Sequence, residues 1–202
     1  IRRNKETSFT EALSWTGLYI GAAIGFGIFM PNWASGEMQK EFFAGWLTEY
    51  ALSVDNIFVF ILILGTLKVQ KEKQQLVLYC GVLLAIFIRA IMISIGATLI
   101  SRYGWIFFLF GIFLIYTAWT LAFGKEEDWE EGKLIHFLRS RGFSTFAIAL
   151  VAVGITDFIF ALDSIPAIFG LTQNAYVVIT ANFFALMGLR QLFFLLENLL
   201  ER

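Results

Sequence analysis

Six apolar runs, separated by short charged islands, decide what this chain can become. They cover residues 12–30, 42–67, 76–100, 105–124, 143–171 and 176–196. A helix of roughly 20 apolar residues crosses the hydrocarbon core of a bilayer. Hydrophobic residues make up 58% of the chain and charged residues only 15%, against about 25% charged in an ordinary soluble domain. A soluble helical core cannot supply six such runs. The expected fold is all-α: a polytopic transmembrane helix bundle, with residues 1–202 forming a single membrane domain.

The charged islands orient the bundle. Lys and Arg, rather than acids, accumulate on the cytoplasmic side of membrane proteins. Arg2, Arg3, Lys5, Lys68, Lys71, Lys73, Lys125, Lys133, Arg139, Arg141 and Arg202 fall on one side, and only Lys40 and Arg102 in the loops on the other. The N-terminus is therefore expected to be cytoplasmic. The net charge of −1 says nothing about partners, since the charges are segregated by side; no nucleic-acid partner is expected. Cys80 is the single cysteine and lies within an apolar run, so neither a disulfide nor a thiolate metal site is expected. The chain opens on Ile1 and closes on charge soon after a span, which reads as part of a longer protein. Gly17, Gly21 and Gly25 recur every fourth residue in the first run. Such a stripe lets another helix come close, either within the chain or in a homodimer.

Two of the runs carry acids. The second contains EYALSVDNIFVF, residues 49–60, and the fifth contains DFIFALDSIPAIF, residues 157–169. Aligning Asp55 with Asp163 also aligns Glu49 with Asp157 and Asn56 with Ser164, without a gap. In alternating spans the two motifs occupy antiparallel helices, the plan of inverted-repeat transporters with broken helices at the midplane. The expected repeats are residues 42–124 and 143–202, the second incomplete.

An ionised side chain at the centre of a membrane helix costs about 2.5–3.5 kcal/mol on insertion scales. Four such acids need partners. Arg89 and Arg190, each in the run that follows a motif, can neutralise two of them. A bound divalent cation would balance the others, and an oxygen-only donor set suits Mn²⁺, Ca²⁺ or Mg²⁺. The candidate metal ligands are Glu49, Asp55, Asn56, Asp157, Asp163 and Ser164, with Asn182 as a further polar group. The charge-pairing residues are Arg89 and Arg190. On a straight helix Glu49 and Asn56 share a face, as do Asp157 and Ser164, while Asp55 and Asp163 fall on the flank. Pro166 either unwinds its helix, letting the acids converge, or merely kinks it. Carboxylates also carry protons, so metal binding would expel protons and couple the two. His136 lies in a polar loop and is expected to be solvated. No nucleophile–base arrangement and no phosphate loop is present, so no enzyme is expected.

The segments EYALSVDNIFVF, TDFIFALDSIPAIFGLT and TANFFALMGLRQLFFLLENLLER resemble the TerC family of bacterial integral membrane proteins, named for tellurium resistance and grouped with LysE-type exporters. The resemblance covers essentially the whole chain. It implies a multi-pass protein of the bacterial inner membrane, with an internal repeat and a link to manganese export. Three readings stay open: a Mn²⁺ exporter driven by proton exchange, an exporter of an organic cation or amino acid, and a scaffold that helps metallate or insert membrane or secreted metalloproteins. A substrate-sized apolar pocket beside the acids would favour the second.

Overall fold

A computed structural model describes residues 9–123 and 133–200. All its regular elements are helical: α1 (Phe9–Phe29), α2 (Gly36–Thr66), α3 (Lys71–Arg102), α4 (Ile106–Phe123), α5 (Lys133–Ser140), α6 (Thr145–Phe169), α7 (Ala175–Met187) and α8 (Leu189–Leu200). Four helices, α1, α2, α3 and α6, are long and apolar enough to cross a membrane. The α7–α8 pair supplies a fifth span if it is counted as one, and α4 is a shorter apolar helix. The acidic run Glu126–Glu131 lies outside the described residues.

Side-chain caps set several helix starts. The Ser35 hydroxyl accepts from Met38 N at 3.2 Å and the Ser144 hydroxyl from Ala147 N at 3.3 Å. Asn174 Oδ1 accepts from Tyr176 N at 3.0 Å. Each cap satisfies an amide that the first helical turn leaves unpaired. Lys68 turns the chain between α2 and α3 with φ 50, a left-handed conformation that follows many helix ends.

Contacts fix the helix directions. Thr172 Oγ1 donates to Glu41 at 2.7 Å. A Cβ on Gly45 would lie 3.6 Å from Ile168, and Glu49 meets Ser164. Each step of four residues along α2 is matched by four residues back beyond and along α6, so these helices are antiparallel. On α3, Gly81 faces Val153, Arg89 meets Asp157 and Gly96 faces Phe169, so α3 and α6 are parallel. Gly45 faces Ala181 and Gly188 faces Tyr50, so α2 and α7 are parallel as well. The closest packing is α2 on α7 and α3 on α6. Exchanging α2 with α6 and α3 with α7 maps these pairings onto each other.

The core runs between these four helices. Ile57, Phe60, Ile63 and Leu64 of α2 pack with Ile148, Ala149, Ala152 and Val153 of α6. Phe42 and Trp46 pack with Val177, Ala181 and Ala185 of α7. Ile93 and Ile100 of α3 join Ile165, Ile168 and Phe169 of α6. Outward-facing side chains are apolar too: on α4, Phe108 is 73% and Ile115 71% exposed. Such a surface suits hydrocarbon rather than water.

One expectation is corrected. Helices α2 and α6 are unbroken, and α6 continues through Pro166 to Phe169. Proline removes one donor, but the flanking hydrogen bonds and buried packing carry the helix past it. The break falls instead in the sixth run, where the chain bends by 41° between α7 and the following helix, with Gly188 between them. Among the described residues nothing meets the glycine stripe of α1: a Cβ on Gly17, Gly21 or Gly25 would have no neighbour within 4 Å.

Candidate functional site: a buried carboxylate–arginine cluster

Where α2, α3 and α6 meet, Arg89 is fully buried and acts as a hub. Its Nε donates to Asp157 Oδ2 at 3.2 Å and its Nη2 to Asp157 Oδ1 at 2.9 Å. This bidentate fork is the arrangement that guanidinium geometry favours. Nη1 donates to Glu49 Oε1 and, at 3.3 Å, to Ser164 Oγ. Ser164 Oγ in turn lies 3.5 Å from Glu49 Oε1. Glu49 is 0% exposed and Asp157 4%.

The cluster follows from helical period and register. Glu49, Ser53 and Asn56 lie on one face of α2, and all three are buried. Asp157 and Ser164 share a face of α6. The antiparallel register that sets Glu49 against Ser164 also sets Asn56 level with Asp157. The two motifs therefore meet reciprocally: the acid of each lies at the level of the other's neutral polar residue.

Other sequence-predicted residues lie elsewhere. Asp55 is exposed on α2 and Asp163 is half-exposed on α6, the flanking positions that straight helices require. Among the described residues, no three Asp, Glu, His or Cys side chains gather closely enough to hold a metal ion. Convergence of all four acids needed an unwound helix, and neither helix unwinds. Asn182 is buried on α7 and lines a cavity of about 120 Å³ with Ile86, Ala90, Ile93 and Thr180. Arg190 lies in α8, and its side chain is outside the described residues. His136 is exposed on α5.

Ionised, the two carboxylates outnumber the guanidinium by one charge. Among the described residues Glu49 Oε2 has no hydrogen-bond partner, and neither do Ser53 Oγ, Trp46 Nε1 and Asn182 Nδ2. An unsatisfied buried polar group costs about 1–3 kcal/mol, and more when charged. Trp46, Glu49 and Ser53 fall at three- and four-residue spacings, which puts them on one face of α2. Beside Asp157 the free space is only about 10 Å³, room for roughly one water. Sequence reasoning cast Arg89 as a supporting partner, although its position inside an apolar run already marks a cation that must be buried with acids. It missed the Glu41–Thr172 bond, because polar residues at helix ends carry no special signal.

Comparison with known proteins gives the chain its relatives. The model of the integral membrane protein TerC family matches residues 34–202. An uncharacterized membrane protein of Myxococcus xanthus is 38% identical over 224 residues, covering 100% of this chain and 70% of its own. One from Mycobacterium tuberculosis (strain CDC 1551 / Oshkosh) is 36% identical, covering 100% of this chain and 57% of its own. The putative membrane-bound redox modulator Alx of Escherichia coli (strain K12) is 38% identical over 80% of this chain and 57% of its own. The chain thus spans 57–70% of the length of these relatives. No solved structure matches. On the family match and these relatives together, the chain belongs to the integral membrane protein TerC family.

Proposed function

We propose that this protein exports a divalent metal cation, Mn²⁺ foremost, across the bacterial inner membrane in exchange for protons. Glu49 and Asp157 are its central ligands, with Ser164 and Asn56 beside them. The observation that carries the proposal is the fully buried Glu49, whose Oε2 has no partner among the described residues, in a cluster carrying one carboxylate too many. A proton would cancel that excess and a divalent ion would more than offset it, and competition between them is the simplest form of metal/proton coupling. Oxygen donors favour hard ions over zinc or copper. The small space beside Asp157 supports an ion over an organic cation or amino acid. The one larger cavity named above adjoins Asn182 rather than the acids. Asp55 and Asp163, off the central face, serve as approach residues on this reading. The Lys and Arg bias supports a cytoplasmic N-terminus. Relatives bear the name redox modulator, and Cys80 is the one cysteine of this chain.

The test is ⁵⁴Mn²⁺ uptake into inverted vesicles carrying the full-length protein, with and without a pH gradient. Gradient-dependent uptake is expected, lost by more than about tenfold (about 1.4 kcal/mol) in Glu49→Gln and Asp157→Asn. Asp55→Asn and Asp163→Asn should slow uptake less. No uptake by well-folded protein would overturn the exporter reading and favour the scaffold.

A further inference from the structure

We propose that Arg89 is a resident counter-cation that an arriving divalent ion must displace, so that this one residue selects for ionic valence. The inference rests on the exporter reading. Arg89 donates to Glu49, Asp157 and Ser164 at once. Those bonds occupy both oxygens of Asp157, one of Glu49 and the Ser164 hydroxyl, leaving Glu49 Oε2 as the open carboxylate oxygen, so a metal ion held by both acids and the guanidinium exclude each other.

Charge sets the outcome of that competition. With Arg89 in place, two carboxylates face one positive charge. With Arg89 withdrawn, they face none and match a divalent ion. A monovalent ion brings no more charge than the guanidinium and lacks its fork of directed donors, so it has no means of displacing it.

The fold offers Arg89 somewhere to go. The cavity of about 120 Å³ is lined by Ile86, Ala90 and Ile93 of the same helix, whose mean direction lies roughly 65° around α3 from Arg89 at 100° per residue. On its far wall stands Asn182, 3% exposed and with its Nδ2 unpartnered. Turned over, that amide presents its oxygen to a guanidinium, since its two ends are nearly isosteric.

The experiment measures Mn²⁺ binding to the purified full-length protein by calorimetry, with Na⁺ as competitor. Arg89→Gln should bind Mn²⁺ more than about tenfold tighter than the parent, since a tethered competitor is removed, and Na⁺ should now compete. Arg89→Lys, which keeps the charge without the fork, should lie between. Filling the cavity with Asn182→Leu should weaken Mn²⁺ binding in the parent and have no effect in the Arg89→Gln background. A measurement on the unaltered protein covers variants that do not fold: Mn²⁺ should increase phenylglyoxal modification of Arg89, read by site-resolved peptide mass spectrometry. If the parent binds Mn²⁺ while Arg89→Gln binds no tighter and Arg89 gains no reactivity, the inference fails and the exporter reading stands. If the parent and Arg89→Gln both bind no Mn²⁺, both fall together.

Discussion

Arg89, Glu49 and Asp157 are not equivalent members of their cluster. Neutralising either acid leaves one guanidinium facing one carboxylate, a balanced pair. Neutralising Arg89 leaves two buried carboxylates without a counter-charge, and breaking a buried pair that way costs about 3–5 kcal/mol. Arg89→Gln should therefore be the least stable of the three in the absence of metal, with Glu49→Gln and Asp157→Asn nearer the parent. Thermal unfolding in detergent would rank them, and Mn²⁺ should recover most of the loss in Arg89→Gln by binding the folded state. An order in which Glu49→Gln is the worst would mean that Glu49 carries structure rather than spare charge. Ser53 is a finer probe. Its buried hydroxyl has no partner among the described residues, so Ser53→Ala should stabilise the protein by about 1 kcal/mol while slowing export if the polar face of α2 lies along the ion's path. A single substitution that raises stability and lowers flux would separate the two roles.

At the scale of helices, close approach places the cluster. A Cβ on Gly96 would lie 2.9 Å from the Phe169 ring, whose burial between α3 and α6 leaves it little room to yield. Gly96→Ala should therefore cost about 1–3 kcal/mol by overpacking and loosen the helix pair that joins Arg89 to Asp157. Ser144→Ala should cost about 1 kcal/mol by removing the α6 cap and leave metal binding unchanged, because the cap lies more than three turns from Asp157. If Ser144→Ala disturbs binding as much as Gly96→Ala does, general stability rather than the α3–α6 spacing governs the site. The alternation of buried and exposed acids was legible in the sequence at this scale. A separation of seven residues keeps Glu49 with Asn56 and Asp157 with Ser164 on one face, and six rotates Asp55 and Asp163 away. The position of the break was not. Pro166 is a strong local signal, yet α6 packs through it and the chain bends at Gly188 instead.

For the molecule as a whole, helix directions make a prediction that needs no transport assay. The α2–α3 turn and the α6–α7 turn lie at opposite ends of the bundle, because α2 and α6 are antiparallel. In a Cys80→Ser background, a membrane-impermeant maleimide applied to intact cells should label Gln173→Cys and spare Gln70→Cys. Both positions are exposed, and the reverse pattern would invert the topology. The sequence by itself determined that this is a helical membrane protein with two matched acidic motifs, because apolar length and residue spacing are properties of a chain read one segment at a time. Only the tertiary structure decided that two of the four acids share one arginine and the other two stand apart. That outcome depends on the register between helices far apart in sequence, and no local pattern encodes it.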